Sequence, residues 1–457
     1  MTRDELHAKL KRSDVGALAA FLVQLAAEDA TLRGRIEDLA LRAEPSAHTS
    51  SLDRRLDRLR DGPSPIPERE TRAFADELSA WLDDVESGLL DRDPVGAWER
   101  FDAFIRADRE ILSRADDPDG QIRDVFRRAC GLWHRAATGL PAETDRVKRV
   151  YDLHAGNDCG ARDAILDEAA SSLFEIELRT LARIYERQVE AEVPSGSPDP
   201  RVDASVALGR VARALRDAVL YEQSVRARAP EPSAVQAEDI AARYLEFGPV
   251  RRAVEWLTRA PTPPGHPVQE RLDLLARAYE KLGDAAALRD VRRRCAEESL
   301  SAKRLAEYTE LLPHEEREPA RRAVLDRACQ SDRPVAAAEL MLELGEVDLA
   351  AATLLRLRDH LGAQRESDVL PLAQHFEQAG RPLPAVACYR ALVDQILRDG
   401  STQAYSRAKR YVDALTSLDE AVESYGDLDS HATHLARLRS LYRDRPSFWQ
   451  LVDAAAS

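Results

Sequence analysis

The chain has 457 residues, of which 44% are hydrophobic and only 5% aromatic, so its interior must consist mostly of Ala, Leu and Val side chains. This composition suits closely packed helices, and the near absence of alternating β-branched runs argues against an all-β fold. The formal net charge of −15 disfavours general binding to nucleic acid, because phosphates require a basic surface.

The N-terminal residues predict a series of irregular helices. Residues 15–41 have the apolar spacing of an amphipathic helix, and helix breakers follow at residues 44–51. Three prolines in residues 61–67 predict a flexible surface loop. Asp93-Pro94 and Asp117-Pro118 each predict a capping residue followed by proline at the first helical position. Further helices are expected over residues 68–92, 143–154, 161–171 and 173–192.

The Pro- and Ser-rich residues 193–200 form the clearest linker. We therefore divide the chain into an N-terminal helical region, residues 1–192, and a helical-repeat array, residues 202–457. The array is expected to open with a helix over residues 202–228. A second Pro-rich stretch, residues 260–267, is expected to separate its first two repeats.

Four Gly-centred helical hairpins in the second half of the chain share one template. An alanine precedes each turn glycine by seven residues, and a bulky apolar residue precedes it by four. The first two glycines are 35 residues apart, as are the last two. One degenerate unit, with Ala306, Thr309 and Pro313 in the same slots, fills the interval between the pairs. The four sets are Ala241, Tyr244 and Gly248; Ala276, Tyr279 and Gly283; Ala338, Met341 and Gly345; and Ala373, Phe376 and Gly380.

A period near 34 residues with two helices per unit is the tetratricopeptide pattern, and it predicts an all-α solenoid of antiparallel hairpins. The alanine lets the second helix approach closely, and the glycine makes the turn in a conformation that other residues adopt at a cost. The second helices carry another small residue, which Leu288 replaces in the second unit. Residues 431–442 and Phe448-Trp449 are expected to cap the array.

Three stretches of the chain resemble an uncharacterised bacterial family, the one catalogued as domain of unknown function 6880. They are the amphipathic opening at residues 18–29, Ala253-Val-Glu-Trp-Leu257, and the ending that includes residues 405–411, residues 434–438 and Phe448-Trp449. The resemblance covers nearly the whole chain and implies helical repeats without a known activity. The ending is also similar to the tail of SWIM-type zinc-finger proteins, but the C-x-C of the finger is absent, so no zinc function follows.

Candidate chemical sites in the sequence are few. His154 and Cys159 could form a base and a nucleophile, although a helix-to-helix loop with Gly156 at a helix end is the preferred interpretation. His431 and His434 have a spacing that metal ligands can use, but no further ligand is evident, and surface histidines are preferred. No nucleotide-binding glycine motif occurs. We expect no cofactor, no metal and no catalytic residue.

The remaining signals concern location and packing. The N-terminus lacks the apolar core of a signal peptide, and no run approaches the roughly 20 apolar residues of a membrane helix, so a cytoplasmic protein is expected. Five tryptophans lie among apolar residues, which predicts burial: Trp81, Trp98, Trp133, Trp256 and Trp449. The cysteines are odd in number and never in a C-x-x-C pair, which disfavours a disulfide framework or a zinc site: Cys130, Cys159, Cys295, Cys329 and Cys388.

The surface of the array is the best candidate for function. In tetratricopeptide-like stacks the first helix of each hairpin lines the inner curve, where Arg243, Asp273, Arg277 and Glu280 would meet an extended peptide. The hypothesis is a non-enzymatic scaffold that binds another protein. The alternative is a nucleic-acid-binding protein or an enzyme with a locally Arg-rich concave face, since Arg outnumbers Lys by 60 to 6. Self-association through exposed apolar edges of the terminal units stays open.

Overall fold

A computed structural model describes residues 14–28, 33, 36, 45–191, 200–261, 263 and 265–454. These residues form α-helices and short 3₁₀ segments without a strand, apart from one isolated bridge between Ile66 and Ala115. The chain divides into two compact units, Met1–Gly248 and Pro249–Ser457. No helix in the described part of the chain is long and apolar enough to cross a membrane.

Unit 1 consists of helices of very unequal length. Their bounds are α1 Val15–Glu28, α2 Pro45–Asp61, α3 Glu68–Leu89, α4 Pro94–Arg106, α5 Asp108–Leu112, α6 Gln121–Ala137, α7 Arg146–Ala155, α8 Ala164–Asp167, α9 Glu175–Glu190, α10 Pro200–Ala214, α11 Ala218–Arg228 and α12 Ala234–Phe247. A 3₁₀ turn, Ala169–Ser171, follows α8. From α9 onward each helix packs mainly on its neighbours along the chain.

The core of unit 1 centres on α3, α4 and α6. Trp81 stacks on Phe104 with ring centroids 5.3 Å apart, and Phe104 contacts Phe126 at 5.0 Å. Trp98 and Trp133, also buried, contact each other at 5.5 Å. One continuous cluster of buried side chains runs from Leu52 to Leu220. Aromatic residues, scarce in the chain as a whole, are therefore concentrated where irregular helices cross.

Several local predictions in unit 1 need correction. Residues 44–51, predicted as a break, lie mostly within α2, because Pro45 occupies its first position, where a missing N–H is tolerated. Asp93 caps α4 as predicted, accepting a hydrogen bond from Gly96 N at 2.9 Å. α6 begins at Gln121 rather than at Pro118, so its N-cap is Gly120 and not Asp117 as predicted. Asp117 instead accepts from Ile122 N in the first turn at 3.1 Å.

The Pro-rich loop at residues 61–67 is held by a buried arginine. Arg114 donates to the carbonyl oxygens of Leu59 and Pro63, and the amide of Ile66 donates to the carbonyl of Arg114 at 2.6 Å. The guanidinium also lies 4.8 Å from the ring centre of Phe74. The loop predicted to be flexible is thus tied to the core by backbone and side-chain hydrogen bonds.

The helix predicted over residues 202–228 is two helices, α10 and α11. Arg216 adopts a left-handed conformation with φ 54°, and Asp217 caps α11 by accepting from Leu220 N at 3.0 Å. α10 packs on both α9 and α11, so the division by contacts falls at Gly248 rather than at the boundary predicted over residues 192–202. Most of the predicted linker at residues 193–200, and most of the first helix beyond Glu28, lie outside the described residues. Whether residues 1–192 form a separate domain stays a prediction.

Helix α1 is less buried than its apolar pattern predicts. Leu18, Leu22 and Leu25 are half-buried, whereas Phe21 is 56% exposed.

Unit 2 consists mainly of paired helices joined by short turns. Their bounds are α13 Val250–Arg259, α14 Val268–Leu282, α15 Ala285–Ser299, α16 Ala302–Thr309, α17 His314–Gln330, α18 Pro334–Glu343, α19 Val347–Arg356, α20 Glu366–Gln378, α21 Pro382–Asp399, α22 Tyr405–Asp419, α23 His431–Leu441 and α24 Pro446–Asp453. A 3₁₀ segment, Arg358–Ala363, precedes α20. Successive helices pack on each other, as in a solenoid.

The repeat template predicts burial well. Ala241, Ala276, Ala338 and Ala373 are all at most 1% exposed, and so are Tyr244, Met341 and Phe376, whereas Tyr279 is half-buried. Gly283, Gly345 and Gly380 have φ between 65° and 79°, the left-handed turn that the template requires. The all-α solenoid of helical hairpins, with an irregular helical N-terminal half, is confirmed.

Gly248 departs from the template. Its φ is −127° and its ψ −174°, which is extended backbone rather than a left-handed turn. Pro249 follows it, and a residue before proline is driven into the extended region by the pyrrolidine ring. The division between the two units falls at this residue.

The degenerate unit also departs from the template. Ala306, predicted in the buried small-residue slot, is exposed, and its neighbour Leu305 is 3% exposed instead. α16, which carries this position, has only eight residues. Trp256 is another exception, because it is half-buried whereas the other four tryptophans are buried.

The last helix of unit 2, α24, packs on α22. Phe448 on α24 is fully buried and lies 5.6 Å from the ring of Tyr405 on α22. Trp449 donates to the carbonyl of Tyr442 at 2.9 Å, which ties α24 to the end of α23.

Candidate interaction surface

Three of the four predicted binding residues lie on one face of α14. Asp273, Arg277 and Glu280 are spaced by four and three residues, which places them on the same side of a helix. The opposite side of α14 supplies buried residues such as Leu275 and Ala278. One side of α14 is therefore charged, and the packing of its other side in the core fixes the orientation of the charged side chains.

Two arginines from the next helices pair with this face. Arg304 of α16 contacts Asp273 at 2.6 Å, and Arg292 of α15 contacts Glu280 at 2.8 Å. Both arginines also reach Glu307, at 3.1 Å and 2.6 Å respectively. Glu307 thus joins the two pairs into one network across three helices. We call these five residues together with Arg277 the ion-pair surface.

The network fixes the side chains that form it. Only 16% of the Arg292 side chain is exposed, and its guanidinium is held by carboxylates from two different helices. Cys295 is fully buried close to these charges, and burial together with the nearby carboxylate of Asp273 raises its pKa. The ion-pair surface is therefore a preorganised set of alternating charges.

Arg277 differs from its neighbours on the ion-pair surface. Its side chain is exposed, and no carboxylate oxygen of the described residues lies within 4.0 Å of it. It lies between Asp273 and Glu280 along α14, both of which are engaged by other arginines. Arg277 is thus the cation that this surface leaves available to an external group.

Arg243 lies on α12 in unit 1 and is engaged by its own helix. It contacts Glu246 at 2.6 Å and Asp239 at 3.6 Å. Its guanidinium also lies 6.0 Å from the ring centre of Tyr221. The structure therefore brings Asp273, Arg277 and Glu280 onto one face and places Arg243 in a separate, intrahelical set of ion pairs.

Sequence reasoning missed Arg292, Arg304 and Glu307. Arg292 occupies a position that is usually aromatic in such repeats, so the repeat pattern does not indicate an ion pair there. Arg292 and Arg304 are opposite in charge to Glu280 and Asp273 on α14. This complementarity can be recognised only when the packing of α14, α15 and α16 is known. Whether any of these residues binds a partner stays a prediction.

The loop that contains His154 and Cys159 has the structure preferred from sequence. Gly156 ends α7, and Asn157 accepts from the amide of Arg162 at 3.0 Å. His154 Nδ1 contacts the hydroxyl of Tyr185 at 3.0 Å, and burial lowers the pKa of His154. Its ring is held by a tyrosine, so these contacts do not create a nucleophile-base pair with Cys159.

The histidines of α23 are buried, which corrects their prediction as surface residues. His434 is fully buried with Nδ1 3.0 Å from Arg437, and His431 lies 3.2 Å from the hydroxyl of Thr416. Burial, with the nearby arginines, lowers the pKa of His434 to about 3. No cluster of three or more His, Cys, Asp or Glu residues in the described ranges could hold a metal ion. The five cysteines of the chain are free thiols.

Comparisons with known proteins identify a family but no activity. No curated protein matches the chain. Among solved structures, it is similar to a "Circular tandem repeat protein with novel repeat topology and enhanced subunit contact surfaces", at 16% identity over 96% of this chain and 98% of that one. The TM-score of 0.22 is too low to add to the fold described above. Nothing in these comparisons supports the similarity of the C-terminal tail to SWIM-finger proteins. The model of a family of unknown function, DUF6880, matches residues 7–451, and the chain belongs to that family.

Proposed function

We propose that this protein is a non-enzymatic scaffold of the cytoplasm that binds another protein or peptide through the ion-pair surface. The observation that carries the proposal is the difference between Arg277 and its neighbours. Five charged side chains are fixed by mutual ion pairs across α14, α15 and α16, whereas Arg277 is exposed without a carboxylate partner in the described residues.

Such an arrangement favours binding for two physical reasons. Side chains that are already ordered lose little conformational entropy when a partner docks, so less of the interaction energy is spent on ordering. An arginine fork also matches the geometry of a carboxylate, which gives a directional contact. We therefore expect the partner to present an Asp or Glu side chain, or a C-terminal carboxylate, to Arg277.

A site-specific crosslink tests this proposal directly. A photoreactive phenylalanine analogue in place of Lys281, an exposed residue four positions after Arg277 on α14, leaves Arg277 intact and should capture a defined protein in cells, which mass spectrometry then identifies. The same analogue at Arg294 is the matched control, because Arg294 is an exposed arginine on the neighbouring helix α15. Capture from position 281 but not from position 294 would locate the binding face.

The captured partner then allows a quantitative test with purified proteins. Arg277→Glu should weaken binding at least tenfold, equivalent to about 1.4 kcal/mol, because it places a negative charge opposite the partner's carboxylate. Arg294→Glu, which makes the same charge change, should leave the affinity within about twofold. Equal affinities for the two variants would overturn the assignment of the surface, and turnover of a substrate by a residue of this chain would overturn the non-enzymatic role.

The nucleic-acid or enzymatic alternative has weaker support. It needs unpaired arginines in a continuous stripe, and Arg292 and Arg304 already pair with carboxylates. Fluorescence anisotropy with labelled single- and double-stranded oligonucleotides tests nucleic-acid binding. Saturable binding at physiological salt would support this alternative.

A further inference from the structure

A second polar site lies within unit 2, between the 3₁₀ segment Arg358–Ala363, helix α21 and the residues just before α23. It is a cleft of about 340 Å³. The charged side chains that line it are four arginines and four aspartates: Arg358, Arg390, Arg398, Arg437, Asp359, Asp394, Asp427 and Asp429. Their formal charges cancel, so what the cleft can bind depends on which charges are buried and which are already paired.

Arg390 is the buried cation of this cleft. It is only 6% exposed, and its guanidinium lies 5.2 Å from the ring centre of Tyr425. It donates one hydrogen bond, at 2.9 Å, to the backbone carbonyl of Asp429, and its buried Nε has no partner. No carboxylate oxygen of the described residues lies within 4.0 Å of it. Burial lowers the pKa of Arg390, as expected for a cation removed from water without a close counter-ion.

A second buried arginine shows what is missing at Arg390. Arg162 in unit 1 is 7% exposed and pairs with the carboxylate of Asp108. It also donates to the carbonyls of Leu153 at 3.3 Å and Arg106 at 3.1 Å. A buried charge is normally compensated in this way, because an uncompensated one is strongly unfavourable. Arg390 donates to one carbonyl and contacts one aromatic ring, whereas Arg162 pairs with a carboxylate and donates to two carbonyls.

The other cations of the cleft flank Arg390. Arg398 is exposed, and no carboxylate of the described residues lies within 4.0 Å of it. Arg437 contacts Asp429 at 3.3 Å and the ring of His434 at 3.0 Å. Together these arginines place guanidinium groups at the interior and at the edge of one cleft.

The aspartates of the cleft should repel a bound anion less strongly than their number suggests. Asp429 is engaged by Arg437, and Asp359 and Asp427 are exposed to solvent, which screens their charge. Asp394 is half-buried, and burial raises its pKa against the opposing influence of the nearby arginines.

We propose that this cleft binds a small oxyanion, a phosphate or a carboxylate group, with Arg390 as its principal ligand and Arg398 and Arg437 beside it. The anion supplies the counter-charge that Arg390 lacks, and the volume suits a small molecule rather than a polymer. Planar guanidinium groups bind both kinds of oxyanion through paired hydrogen bonds. The proposal is independent of the ion-pair surface.

Isothermal titration calorimetry of the full chain tests it, with inorganic phosphate in one series and citrate in another, at constant ionic strength. We expect saturable one-to-one binding of at least one of them. Arg398→Gln should weaken that binding about tenfold, since it removes a charge-assisted contact. Arg390→Gln should abolish binding, but the exposed Arg398 is the more decisive site because its replacement leaves the buried packing untouched.

The matched control is Arg443→Gln, because Arg443 is exposed in unit 2 and does not line the cleft. Its affinity should equal that of the unmodified protein. Phosphate binding without citrate binding assigns a phosphate group, and the reverse assigns a carboxylate. Absence of saturable binding for both anions, or equal affinities in the Arg398 and Arg443 variants, would overturn the proposal.

Discussion

Lowering the pH from 7 to 4 should destabilise unit 1 through His134. This side chain on α6 is fully buried. Its Nε2 lies 2.8 Å from the carbonyl oxygen of Ile165, an acceptor, so Nε2 carries the proton. Its Nδ1 lies 2.7 Å from the hydroxyl of Ser172, which can donate to it. The neutral imidazole is thus satisfied on both sides, and burial lowers the pKa of His134 to about 4.

The size of the effect follows from the difference between the folded and unfolded pKa values. An unfolded histidine has a pKa of about 6.5, so the unfolded chain binds a proton that the folded chain does not over this interval. Stability contributed by neutral His134 is therefore complete above pH 6.5 and is lost as the pH falls toward 4. With 1.36 kcal/mol per pKa unit, the loss at pH 4 is about 3 kcal/mol.

The matched variant is His134→Gln, because glutamine can donate to Ile165 and accept from Ser172 but cannot titrate in this range. Urea unfolding followed by tryptophan fluorescence at pH 7 and pH 4 should show a loss larger by about 3 kcal/mol in the unmodified protein than in the variant. Nuclear magnetic resonance of ¹³C-labelled histidine should give His134 a pKa near 4. A pKa near 6.5, or parallel losses in the two proteins, would refute the argument.

Three further substitutions test the packing. Asp108→Asn should lower the free energy of unfolding of unit 1 by about 3–5 kcal/mol, because it leaves buried Arg162 without its carboxylate. The double variant Asp108→Leu/Arg162→Met should recover most of this loss in the same unfolding assay. Gly131→Ala should stabilise α6 by about 0.5–1 kcal/mol, since an added Cβ meets no atom within 4 Å, and a lower melting temperature would contradict this. Gly283→Ala should destabilise unit 2 by about 1–2 kcal/mol, because φ there is 70°, and an unchanged urea midpoint would count against it.

The sequence predicts the helical hairpins of unit 2 because the spacing of their alanines and glycines has direct physical causes. A small residue such as Ala338 is needed wherever two helices approach closely, and glycines such as Gly345 are needed where the turn is left-handed. Both requirements are local to one hairpin, so they can be read without knowledge of the rest of the structure. Gly248 shows the limit of this reasoning, since the following proline overrides the glycine's freedom.

The irregular elements depend on capping and tertiary contacts that spacing does not show. The break at Arg216 has no glycine or proline, and its only local signal is Asp217 as a capping residue. His431 and His434 look polar in sequence, yet α22 and neighbouring side chains bury them. Burial of a polar residue depends on which partner reaches it, and that partner is distant in sequence.

The excess of arginine over lysine has a structural use that composition did not suggest. Arg292 joins Glu280 on α14 to Glu307 on α16, a contact that suits a fork of several donors better than the single ammonium of lysine. The same arrangement, one arginine between two carboxylates, occurs at Arg128 and Arg210. Arg277 lies without a carboxylate partner beside arginines that are paired, and Arg390 is a buried cation inside a cleft. Their different burial is why we assign a protein partner to the first and a small anion to the second.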